Sequence, residues 1–127
     1  MNFKQIFKLI NDWDNFVNSI SNLSKKEKGD AFEFLTKCLF EIKPQYTKLY
    51  DNVWLLSEVP QKELEYLELP SHDLGIDLIA KTGNEYHAIQ CKYHSDKYQS
   101  VTFKEVSTFT TLVEGNPKIS KGYICSR

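Results

Sequence analysis

The order of its periodic segments predicts an α/β domain, a four-stranded mixed sheet flanked by helices in the order α-α-β-β-β-α-β. Three observations carry that reading. Apolar residues recur at helical spacing through the first forty or so positions. Two short apolar or alternating runs then flank Lys81-Thr82-Gly83-Asn84-Glu85, a hairpin signal. A capped helix finally leads into one last apolar run.

Phe3, Ile6, Phe7, Ile10, Trp13, Val17 and Ile20 predict a first helix over residues 3–20, its aromatic stripe packed in the core. Ser24-Lys25-Lys26-Glu27 is a capping box that opens a second helix. Ala31, Phe34, Leu35, Cys38, Leu39 and Ile42 form its apolar stripe, and Pro44 ends it. Glu33 lies off that stripe and shares a face with Gly29, Thr36 and Phe40, so this helix is expected to pack on two sides. Tyr50 to Ser57, with Val53-Trp54-Leu55-Leu56 inside it, reads as a buried strand. Pro60 to Pro70 is an excursion with a helical turn between two strands. Strands follow at 76–81 and 85–93, then a polar loop at Lys97 to Ser100.

Thr102-Phe103-Lys104-Glu105 is a second capping box; Phe103, Val106, Phe109 and Val113 continue it as a helix that stops at Gly115 and Pro117. Lys121 to Ser126 makes the last strand, and Arg127 follows directly. That ending leads us to expect part of a longer protein, with a compact stand-alone protein as the alternative. We divide the chain into an N-terminal helix that packs on the core, residues 1–22, and the core itself, residues 23–127.

With 127 residues, 41% of them hydrophobic, the chain can bury a real core. Its net charge of -1 lacks the basic excess usual in a free-standing nucleic-acid binder. Any contact with DNA is then small, or other parts of a larger protein hold the substrate. Cys38, Cys91 and Cys125 are an odd set without C-x-x-C spacing, which reads as three reduced thiols in a cytoplasmic protein. No apolar stretch reaches membrane-spanning length. Lys4 and Lys8 in an amphipathic pattern without a cleavage site mark Met1 to Ile10 as a domain helix.

The chemistry sits around the hairpin. Gly75-Ile76-Asp77-Leu78-Ile79-Ala80 buries a carboxylate in an apolar strand, a costly placement unless something binds it. If Gly83 and Asn84 are the loop residues, Thr82 faces Glu85 and Asp77 falls opposite Gln90. Lys92 is two residues on from Gln90 and shares its face. An acid, an amide oxygen and a lysine converging suit a metal-dependent phosphodiesterase. The plainer alternative is a structural ion pair of Asp77 with Lys92. His72, His87 and His94 match no compact ligand set, and His87 points away from Gln90. Asp73 is expected in a loop. Lys97, Lys104, Lys118 and Lys121 could track a phosphate backbone, Lys97 and Lys104 being the candidates for DNA contact.

Gly29-Asp30-Ala31-Phe32-Glu33, Gly75-Ile76-Asp77 and Gln90-Cys91-Lys92, in that order, resemble the PD-(D/E)XK nuclease superfamily in its Mrr-like restriction endonuclease branch. Val53-Trp54-Leu55-Leu56-Ser57-Glu58 and Ala88-Ile89-Gln90-Cys91-Lys92 look closer still to the N-terminal nuclease domains of Type ISP restriction-modification enzymes and helicase-fused relatives. The resemblance implies a restriction-endonuclease-like fold and a Mg²⁺-dependent DNA endonuclease, with Mn²⁺ as a substitute. It implies Asp77 as the main anionic ligand, Gln90 in place of the usual acid, and the backbone carbonyl of Cys91 as a further oxygen. Glu33 would restore the missing charge, and Lys92 would act on the attacking water and the phosphate. Double-stranded DNA is the implied substrate, with helicase or translocase and methyltransferase domains elsewhere in a longer chain. The rival expectation is a degenerate nuclease fold that binds DNA or docks a protein.

Overall fold

Residues 13–69, 75–94 and 102–126 are described by the structure, a computed structural model. Helix α1 (Trp13–Ile20) buries Phe16 and Ile20, so the tail of the first expected helix reaches the core; its expected residues 3–12 lie outside the described residues. Helix α2 (Lys25–Ile42) opens on the expected capping box. The Glu27 N–H donates to Ser24 Oγ at 3.2 Å and the Ser24 N–H to Glu27 Oε1 at 3.3 Å. Its buried face is a correction. Ala31, Phe32, Thr36 and Phe40 are buried, whereas Leu39 and Ile42 of the expected stripe are 41% and 72% exposed. The sheet takes the line through Phe32, Thr36 and Phe40, and the Thr36 hydroxyl is satisfied within the helix by the Phe32 carbonyl at 2.8 Å. Thr36 and Phe40 belong to the second packed face expected of this helix, and Ala31 to its apolar stripe.

Pro44 does follow the end of α2, but it also opens α3 (Pro44–Thr47), where a missing N–H costs nothing. Strand β1 (Asn52–Leu55) is shorter than expected, because Leu56–Glu58 turn into a 3₁₀ segment. The excursion between Pro60 and Pro70 holds α4 (Gln61–Leu67). It is tied down by Asn116 Nδ2 donating to the Leu67 carbonyl at 2.8 Å and Lys118 Nζ to that of Tyr66 at 2.7 Å. Strands β2 (Leu78–Thr82) and β3 (Glu85–Lys92), helix α5 (Phe103–Glu114) and strand β4 (Ile119–Ser126) complete the order.

The four strands lie in the order β1-β2-β3-β4. The first two pairings are antiparallel and β3 with β4 is parallel, the mixed sheet expected. Thr82 faces Glu85 across Gly83-Asn84, and Gly83 takes φ +58°, which an L side chain resists. Alternation then sorts the apolar residues of β2 and β3 onto both faces. Leu78, Ala80, Ile89 and Cys91 join Phe16, Ile20, Phe32 and Phe40 from α1 and α2. Ile79, Tyr86 and Ala88 meet Leu64 and Leu67 of α4 and Phe109 of α5. Burial on both sides is why β2 reads as a continuous apolar run. In α5 the expected stripe holds only in part: Phe109 is buried, but Phe103 is 87% exposed and Val106 39%. The helix reaches the sheet from its second turn on, where Phe109 and Val113 close over Gly122.

Candidate active site

Backbone hydrogen bonds fix Asp77 before its carboxylate does anything. Its N–H donates to the Ile89 carbonyl and its carbonyl accepts the Leu56 N–H, both at 2.9 Å. Its Oδ2 accepts the Cys91 N–H at 2.7 Å. Leu78 pairs with Ile89, so one more step of the same register sets Asp77 beside Gln90, as the loop length predicted. Gln90 is 4% exposed and its buried Oε1 has no hydrogen-bond partner among the described residues. A buried amide oxygen without a protein partner is unusual.

Lys92 closes β3, half-buried, and makes no ion pair among the described residues. The plain Asp77–Lys92 pair is therefore not what holds this lysine. Glu33 comes from α2 and its carboxyl hydrogen-bonds that of Asp77. Burial, then the Asp77 charge and that hydrogen bond, then Asp30, push the Glu33 carboxyl up to about 8. That shift favours the protonated form of Glu33 at neutral pH, and both carboxyls are only partly buried.

Glu33, Asp77, Gln90, Cys91 and Lys92 line one cleft of about 810 Å³. Sequence reasoning assigned no role to its other polar walls, Lys26, Asp30 and Ser57. Lys26 and Asp30 form an ion pair at 3.0 Å. Their spacing from Glu33, seven and three residues, puts all three on one helix face, a signal the sequence did carry. Gly75 also lines the cleft at φ +83°, where a Cβ would stand 3.6 Å from Gln90 Nε2. Only glycine takes that backbone shape at little cost. The Cys91 thiol is buried and pushed far above its usual range by that burial, a neutral packing group.

Other expected residues fall elsewhere. His87 is buried on the α2 side of the sheet, its Nδ1 2.6 Å from Tyr50 Oη, and burial and then Lys121 lower its pKa. Lys104 is exposed on α5 and does not line the cleft. Lys118 Nζ is engaged with Tyr66, 4.5 Å above its ring. His72, Asp73 and Lys97 lie outside the described residues. Among the described residues no three His, Cys, Asp or Glu gather as a metal set. Nor is any helix among them long and apolar enough to cross a membrane.

The model of a family described as "Restriction endonuclease" matches residues 41–126. That span includes Asp77, Gln90 and Lys92 and begins after Glu33. Among solved structures, one described as "ATP-dependent Type ISP restriction-modification enzyme LlaBIII bound to DNA" is similar over 93% of this chain, at 29% identity and a TM-score of 0.62. The likeness covers 7% of that enzyme's chain. No curated protein matches.

Proposed function

This chain belongs to the restriction endonuclease family, and from that premise we propose that it is a metal-dependent DNA endonuclease domain. Its place would be the nuclease part of an ATP-dependent restriction-modification enzyme, with helicase or translocase and methyltransferase parts in a longer cytoplasmic protein. Within it, residues 23–127 would form the nuclease core and 1–22 a separate N-terminal part. The likeness to a DNA-bound Type ISP enzyme supports double-stranded DNA as substrate.

One observation carries the chemistry: the carboxyls of Glu33 and Asp77 adjoin each other and a buried amide oxygen in a cleft that also holds a lysine. A proton there balances charge that a divalent cation would balance better. Asp77, Glu33, Gln90 Oε1 and the Cys91 backbone carbonyl would hold Mg²⁺, or Mn²⁺ in its place. The ion supplies Lewis acidity and acidifies water. Lys92 orients the attacking water and offsets the charge that grows on the phosphate. Asp77, pinned at three atoms, needs no reorganisation to do its part. Lys97 and Lys104 are the candidate contacts to flanking phosphates, and Lys104 stands free enough for it.

The net charge of -1 favours a second reading, a degenerate fold that binds DNA or docks a protein. Nicking of supercoiled plasmid with Mg²⁺ or Mn²⁺ separates the two. The wild-type chain should nick, and Asp77→Ala and Lys92→Ala should each lose roughly a hundredfold or more while keeping the wild-type circular dichroism spectrum. Full cleavage by either variant would refute the assigned site; a wild-type chain that binds DNA without nicking would establish the second reading.

A further inference from the structure

The two carboxyls of the cleft come from different elements, Glu33 from α2 and Asp77 from the lead into β2. Whatever sets the gap between those elements decides whether both acids can reach one ion. Lys37 lies one helical turn beyond Glu33, and its Nζ is 2.8 Å from Glu58 Oε1 in the 3₁₀ segment. The same Oε1 accepts the Leu55 N–H at 3.0 Å. Leu56, the next residue, donates its N–H to the Asp77 carbonyl at 2.9 Å. A continuous run of polar contacts thus leads from the helix of Glu33 to the backbone of Asp77. Lys37 is well shielded for a lysine, its side chain 18% exposed, which narrows the positions its ammonium can take.

We propose that Lys37 and Glu58 are positioning residues for the cation site, holding α2 and the Asp77 segment at the spacing one divalent ion requires. The inference rests on the metal-dependent nuclease reading. Neither residue touches the reacting atoms, and a half-exposed ion pair adds little to global stability. Its effect should therefore appear in metal affinity before it appears in folding.

Electrostatics alone gives the opposite sign for one variant, which makes the test sharp. Removing the Lys37 charge would, by charge alone, tighten binding of a cation. Positioning requires that Lys37→Met weaken Mn²⁺ binding, by about tenfold, with the melting temperature near that of the wild type. Lys37→Arg keeps the pair and should restore wild-type affinity. Glu58→Gln should weaken binding similarly, and the double variant should lose less than the sum of the two single losses, since the Lys37–Glu58 contact is common to both even though Lys37 Nζ also lies 3.7 Å from Glu41 Oε1. Calorimetric titration of the whole chain with Mn²⁺ alone reads all four. Wild-type or tighter binding by Lys37→Met, or a loss that follows a fall in melting temperature, overturns the positioning role. A wild-type chain that takes up no Mn²⁺, or an Asp77→Ala variant that binds it fully, overturns the cation site and this inference with it.

Discussion

Glu33 is the residue whose protonation state the fold changes most visibly. Its carboxyl, pushed up to about 8, holds a proton that the unfolded chain would already have released above the ordinary carboxylate range. That proton stabilises the metal-free protein at low pH, and the benefit fades as pH rises through about 8. A cation bound by Glu33 and Asp77, as proposed, would have to displace it. At about pH 7, uptake of Mn²⁺ should therefore release close to one proton, and affinity should rise roughly tenfold per pH unit up to about 8 and then level off. Calorimetry in buffers of unequal ionisation enthalpy measures the release; affinity flat across that range would remove Glu33 from the ligand set. Gln90→Glu is the complementary change. It adds a carboxylate beside Asp77 and should keep or strengthen Mn²⁺ binding by up to roughly tenfold. A marked loss would mean that the bare Oε1 is not a ligand.

At the scale of elements, α5 packs closely on β4 at Gly122. A Cβ at Gly122 would stand 2.8 Å from Phe109 Cε2 and 3.0 Å from Val113 Cγ2, so the helix must move to admit it. Gly122→Ala should cost about 1–3 kcal/mol. Denaturant unfolding should show a lower midpoint at unchanged slope; an unchanged midpoint would mean that α5 does not press on β4 as described. Leu112 of the same helix comes within 3.5 Å of where a Gly75 Cβ would be, so the cost reaches the wall of the cleft. The ends of α2 and α5 were legible because capping boxes are local: four residues satisfy their own N–H groups whatever packs nearby. The faces those helices bury were legible only in part, Thr36 and Phe40 of α2 and Phe109 of α5 being buried as expected. Phe103 and Leu39 look like core residues in sequence and lie exposed, because the neighbouring sheet selects the face.

For the molecule as a whole, near-neutral charge sets the terms of substrate binding. Three carboxylic residues and two lysines line the cleft, a poor landing site for a polyanion until a cation is in place. The chain alone should therefore nick plasmid slowly and without sequence preference, more weakly as salt rises. Discrete fragments from efficient cutting by these 127 residues would show that specificity resides here and not in partner domains. The similar Type ISP chain is far longer than the part this one covers.

Much of the site was readable from one loop. A two-residue turn and a strand period of two leave no freedom in which residue faces which, so Asp77, Gln90 and Lys92 could be aligned by counting. The same local rules supplied the order of elements and both helix starts. Tertiary structure alone decided what a period cannot express: which line of α2 turns inward, how near its Glu33 comes to Asp77, and that Lys37 and Glu58 bridge the two. Hydrogen-bonding register passes between adjacent strands residue by residue, whereas the rotation and distance of a helix over a sheet emerge only when every side chain between them is packed.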